Sequence, residues 1–175
     1  ETHNQIYSTE NKLINNSDIS GNYYRIFPMA GIYLETPFKF KKSKNNFIYT
    51  PNTSIVFTPG SSNSNKISNE LSSNNNYSIE NNSSINRYTG SDKLDNSKRL
   101  NYGISINNEK IKLQLAQYYE FTENSNYHTE QNNNDKLSDL LGNANYVNNK
   151  LNINYNFRYD PELNYLNRHE LSLNH

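Results

Sequence analysis

The chain has no cysteine, no tryptophan and a single methionine, and its charges cancel. Without cysteine there is no disulfide framework and no thiolate metal site. Seventeen Lys and Arg balance seventeen Asp and Glu, which leaves no electrostatic reason to expect nucleic acid as a partner. Mean hydropathy is −1.02, and no apolar run approaches the roughly 18 residues that identify a transmembrane helix. No basic-then-apolar start follows Glu1, so no signal peptide is visible. The chain therefore reads as a fragment or as a mature form whose start is lost. His3, His128, His169 and His175 have no spacing that builds a metal site. Neither a GxSxG elbow nor a phosphate-binding loop occurs. The chain is not expected to be an enzyme or to need a cofactor.

What is present in excess is asparagine, about a fifth of the 175 residues and several times ordinary usage. So polar a chain would ordinarily suggest disorder. Two observations oppose that. Aromatic residues make up 13%, with 15 Tyr and 7 Phe, and the apolar residues recur with a fixed period.

That period is two. In Leu151–Asp160, Leu151, Ile153, Tyr155, Phe157 and Tyr159 share one parity, while Asn152, Asn154, Asn156, Arg158 and Asp160 share the other. Alternation of this kind places the two sets on opposite faces of a strand. The same pattern sets Leu100, Tyr102, Ile104 and Ile106 against Asn101, Gly103, Ser105 and Asn107. It also sets Ile111, Leu113, Leu115, Tyr119 and Phe121 against Lys112, Gln114, Ala116, Tyr118 and Glu120. Further segments run over Ile32–Phe40, over Phe47–Phe57 with Pro51 inside it, near Leu137–Asn148, and near Leu166–Asn174. About seven strands result, with residues 1–24 left as an uncertain polar N-terminal segment. Several strands are about ten residues long, the length a tilted strand needs to cross a bilayer.

Connection lengths alternate. Lys42–Asn45, Asn107–Lys110 and Asn148–Lys150 are short, whereas Thr58–Lys98 and Thr122–Lys136 are long and polar. Outer-membrane barrels have short periplasmic turns and longer external loops. The short turns carry Asn, which tolerates the positive φ of tight hairpins. The expected fold is all-β and antiparallel: a portion of a transmembrane β-barrel, about seven strands of a larger one, spanning residues 25–175. Leu100, Tyr102, Ile104, Ile106, Ile111, Leu113, Leu115, Leu151, Ile153, Tyr155 and Phe157 would face lipid. Tyr119, Phe121 and Tyr159, beside the outer loops, would belong to an aromatic girdle. Alternation alone also suits a soluble Asn-rich β surface or adhesion protein, whose apolar parity would pack against a second sheet, or a porin-like barrel.

The run Asn86-Arg87-Tyr88-Thr89-Gly90-Ser91-Asp92-Lys93-Leu94-Asp95-Asn96-Ser97-Lys98-Arg99-Leu100-Asn101-Tyr102-Gly103 resembles the most recognisable stretch of the LptD (OstA-like) family. Lys93 stands where that family usually has Arg, and Lys98 where it has Asn before Arg99. Arg25-Ile26-Phe27-Pro28 looks like the family's Arg-x-x-Pro element before a strand, and Leu113–Phe121 is similar to the strand after the motif. The resemblance implies a wall portion of the outer-membrane translocon that inserts lipopolysaccharide into the outer leaflet of a Gram-negative bacterium. It implies lipopolysaccharide, outer-membrane lipid, an LptE-like lipoprotein plug and a periplasmic Lpt bridge as partners.

The residues singled out in the motif are Asn86, Arg87, Tyr88, Gly90, Asp92, Lys93 and Arg99. Arg87, Asp92, Lys93 and Arg99 are expected to form ion pairs in or over the lumen, with the loop folded inward toward the barrel mouth. The blander expectation is that these charges solvate the loop. For Asp92 and Asp95, Asx-type hydrogen bonds that order the backbone are expected rather than a catalytic or calcium-binding carboxylate pair.

Overall fold

The computed structural model describes residues 2–15, 17–39, 46–59, 77–90, 92–122 and 136–174. Ten strands form among them: β1 (Thr2–Ile14), β2 (Ser17–Pro28), β3 (Ala30–Glu35), β4 (Phe38–Lys39), β5 (Ile48–Phe57), β6 (Lys98–Asn107), β7 (Ile111–Glu120), β8 (Leu140–Val147), β9 (Asn152–Asp160) and β10 (Tyr165–Asn174). Every pairing is antiparallel. β1 and β2 make a hairpin of their own. The other eight form one sheet in the order β10-β9-β8-β7-β6-β5-β3, with β4 also on β5. This is the all-β antiparallel fold the alternation predicts. The sheet is open, ending at β3 and β4 on one side and β10 on the other, and does not close on itself among the described residues.

The seven expected segments all appear, the first of them divided into β3 and β4. The break at Thr36–Pro37 lies opposite Pro51. The Pro51 carbonyl accepts from the Thr36 amide at 3.2 Å, so its nitrogen, which has no hydrogen to donate, faces the interruption instead of an intact ladder. Residues 2–14 and 17–28 form the β1–β2 hairpin, so position 25 falls inside β2. The side-chain parity of Arg25, Phe27, Met29 and Gly31 runs without slip from β2 into β3, although Met29 lies outside both strands.

Register carries the apolar parity across the whole sheet. Ile32, Ile55, Leu100 and Tyr119 stand in one row. Tyr49, Ile106, Leu113, Ala144, Tyr155 and Leu171 stand in another. No second layer covers this face among the described residues, and Tyr102, Leu113, Leu115 and Phe121 are exposed. The opposite parity is polar and rich in Asn. Asn143 donates to Asn154 at 2.8 Å and to Asn156 at 2.6 Å, and Asn145 donates to Asn152 at 3.0 Å.

The short hairpins use asparagine differently from the expectation. In Asn108–Ile111 the Asn108 carboxamide oxygen accepts from the Lys110 and Ile111 amides at 2.9 and 2.7 Å. Asn148 does the same for Lys150 and Leu151, at 2.9 and 3.0 Å. The side chain, not a left-handed backbone, closes these turns. Among the described residues the non-glycine positive φ values fall instead at Asn11, Asn15, Asn46 and Asn164. The Lys42–Asn45 turn, His128 and His175 lie outside the described residues.

Candidate functional site: a buried polar loop

Of the connection from β5 to β6, the described residues 77–90 and 92–97 lie against the polar face at the strand ends that join the long loops. Two small apolar clusters hold it there. Leu94 packs with Phe27 and Met29, with Ile85 against them. Tyr77 packs with Tyr118 and Leu141, with Ile79 and Tyr88 against them. The Tyr77 and Tyr118 rings meet edge to face with centroids 5.0 Å apart. The Tyr77 hydroxyl donates to Asn82 at 2.9 Å and lies 3.1 Å from the Ser138 hydroxyl.

Between the two clusters sits a charged network almost without solvent. Arg87, Asp95 and Arg99 are 2%, 0% and 0% exposed. Arg87 grips Asp95 with two bonds, Nε to Oδ2 at 2.6 Å and Nη2 to Oδ1 at 3.1 Å. Arg99 Nη1 reaches the same Oδ2 at 2.9 Å. Glu120 at the end of β7 lies 3.8 Å from Arg87, and accepts from the Ser97 hydroxyl at 2.7 Å and the Lys98 amide at 2.7 Å. Arg99 also donates to Asn101 at 3.1 Å and to the Ser84 carbonyl, and Asn101 in turn donates to Ser54 at 2.7 Å. The Arg87 guanidinium rests 4.6 Å from the centroid of Tyr118, a cation–π arrangement strengthened by desolvation. Two cations and two anions are thus desolvated together. Such a group tolerates burial only when geometry and hydrogen bonding are nearly complete.

The remaining motif residues shape the loop around this centre. The Asn86 side-chain oxygen accepts from the Asp95 and Tyr88 amides at 3.0 and 3.3 Å, and its amide donates to the Lys93 carbonyl at 3.3 Å. Gly90 takes φ +84°, a left-handed conformation that glycine adopts without steric cost. Lys93 lies 5.8 Å from the Tyr88 ring centroid. Burial, reinforced by the nearby Asp95 carboxylate, raises the Tyr88 phenol above its ordinary pKa. Asp92 is buried, and its backbone carbonyl receives Arg25 at 2.9 Å. Thr58 fastens the loop's end, donating to the Ser97 carbonyl at 2.9 Å and accepting the Ser97 amide at 2.7 Å.

The structure therefore brings Arg87 and Arg99 together, and the residue that joins them is Asp95. Sequence reasoning gave Asp95 only a backbone-ordering role and passed over Glu120, Ser97 and Thr58. A signal for Asp95 existed: it precedes Arg99 by four residues and follows Arg87 by eight. Glu120 carried none beyond its polar parity.

A second anchor lies beside the first. Asp139, fully buried, accepts from Arg158 and from Asn167, the latter at 3.1 Å. Next to it a cavity of about 240 Å³ is lined by Tyr77, Glu80, Asn156, Arg158, Arg168 and Glu170 among others. Among the described residues, no cluster of three or more His, Cys, Asp or Glu is placed to hold a metal ion.

Comparison with known proteins agrees with the sequence resemblance over residues 25–175 and extends it to residues 1–24. The family profile described as LptD, LPS transport system D, matches residues 1–175. No curated protein matches.

Proposed function

The chain belongs to the LptD family of lipopolysaccharide-transport proteins, and we propose that it forms part of the barrel wall of the outer-membrane translocon that inserts lipopolysaccharide into the outer leaflet. The family is one of outer-membrane transport and assembly. In this reading the uncovered apolar parity faces acyl chains and the Asn-rich parity faces a wet lumen. β5, β6 and β7 have ten residues each. At about 3.3 Å per residue and a tilt near 40°, they span about 25 Å, the height of the apolar band of such barrels. Tyr119, Phe121 and Tyr159 then stand at the external interface. An LptE-like plug and a periplasmic Lpt bridge are the partners this reading assigns to the whole protein.

The observation that carries the proposal is the fully buried Arg87–Asp95–Arg99 group, which fixes the 77–97 loop on the face opposite the apolar one. A loop held there narrows the external mouth of the lumen. The test is made in the full-length protein in cells. Asp95→Asn should admit large hydrophilic antibiotics that the intact outer membrane excludes, with the barrel still assembled. Unchanged exclusion, together with a loop shown by protease to be released, would remove the mouth-closing role.

A further inference from the structure

The Arg25–Pro28 element has no part in the wall or in the Asp95 network, yet two of its side chains, Arg25 and Phe27, are the buried ones of β2. Phe27 is 0% exposed and Arg25 is 8% exposed, while Tyr24 and Ile26 on the other parity are 78% and 62% exposed. The β1–β2 hairpin shares no ladder with the eight-stranded sheet. It joins that sheet in sequence through Met29 alone, and Ala30 pairs with Phe57 at the end of β5 that leads into the long loop. The hairpin thus stands beyond the sheet on the side of the buried loop.

The inner face of its base is turned to that loop. Arg25 Nη1 donates to the Asp92 carbonyl at 2.9 Å. Arg25 Nη2 donates to the Tyr7 hydroxyl at 3.0 Å and to the Gln5 side chain, and the guanidinium lies 5.5 Å from the Tyr7 ring centroid. One planar group therefore ties both hairpin strands to the loop. Immediately below, Phe27 and Met29 pack on Leu94. A buried guanidinium reaching a main-chain carbonyl gives a directional, charge-assisted bond, and a lysine ammonium lacks the fork needed to serve both sides at once.

We propose that Arg25 is a latch: it binds the β1–β2 hairpin to the 77–97 loop so that the two form a single rigid body at the external end, and the hairpin is not a freely moving outer loop. β2 has 12 residues, about 40 Å of ribbon at roughly 3.3 Å per residue. A change of about 10° at the base would carry the tip about 7 Å. The hairpin thus reports and transmits small movements of the loop beneath it. This rests on the contacts at the hairpin base and does not depend on what the barrel transports.

The test uses the full-length protein with spin labels at Asp18→Cys near the hairpin tip and Glu109→Cys at the opposite end of the sheet. The unaltered latch should give a narrow distance distribution. Arg25→Gln and Arg25→Lys should both broaden it by several ångström, while Tyr24→Ser, on the opposite face of the hairpin, should not. A distribution equally narrow with Arg25→Gln would overturn the latch. If Arg25→Gln does not assemble, amide exchange on the unmodified protein decides. Tyr23–Phe27 and Leu94–Ser97 should open together with one common protection factor, and protection differing tenfold or more between them would overturn the proposal. An unaltered full-length protein that inserts no lipopolysaccharide yet keeps the narrow distribution would count against the translocon reading alone.

Discussion

Replacing Asp95 with Asn removes one negative charge from a fully buried position and changes the side-chain volume very little. Of the carboxylates described in this network, Glu120 would remain, at 3.8 Å from Arg87. Breaking a buried ion pair by neutralising one partner costs about 3–5 kcal/mol, because the remaining charge is left buried. The loop is held in addition by its two apolar clusters and by Thr58, so the cost should appear as opening of the loop rather than loss of the sheet. At about 1.4 kcal/mol per factor of ten, the open population of the loop should rise by about two to three and a half orders of magnitude. Hydrogen exchange or limited proteolysis of the full-length protein measures this directly, with β7 and β8 as internal references. A combined replacement of Arg87, Asp95 and Arg99 by apolar residues of similar size, with Glu120→Gln so that no buried charge is left alone, should restore much of the protection, as apolar substitutes for buried ionic groups commonly do. Protection of the loop unchanged in Asp95→Asn would refute the reasoning, since the pair would then contribute nothing to docking.

Further outcomes follow from the sheet. Gly103→Ala would put a methyl carbon 2.6 Å from the Leu115 carbonyl oxygen, whereas Gly142→Ala meets the Phe157 ring. A ring can rotate aside and a ladder cannot, so unfolding of the full-length barrel should shift more for Gly103→Ala than for Gly142→Ala; the reverse order would contradict this register. Leu113→Arg or Leu115→Arg near mid-strand should cost about 2–4 kcal/mol if that face meets lipid, while Gln114→Arg should cost little. Equal assembly yields for these variants would count against a membrane-facing apolar parity. Asn108→Ala and Asn148→Ala each delete an acceptor for two turn amides. Each should lower stability by about 1 kcal/mol, read as a shift in the denaturant midpoint, and Asn108→Gly should not restore it.

The alternation made the main sheet legible because each strand has one apolar parity, and a slip of one residue would turn all of it to the wrong side. Leu151–Asp160 is the clearest example, and β9 forms over Asn152–Asp160. The β1–β2 hairpin was not legible for the opposite reason. Its inner parity is Gln5, Tyr7 and Thr9 and its outer parity mixes Ile6 with Ser8 and Glu10, so neither face carries a hydrophobic signal. In the loop, the family motif marked Arg87 and Arg99, but their common partner is set by tertiary placement. Asp95 and Asp92 are equivalent in composition and differ only in that Asp95 enters the gap between two guanidiniums. The turn asparagines were recognised as turn residues, though the sequence does not distinguish a side-chain acceptor from a left-handed backbone.

The charge balance around Asp95 has an electrical consequence. Two guanidiniums and two carboxylates leave no monopole, and their opposing fields fade within a short distance. A polyanion near this group of four is neither drawn to it nor pushed off by it. If the loop narrows a lumen as proposed above, these four charges obstruct by bulk, and any grip on a polyanion has to come from other residues.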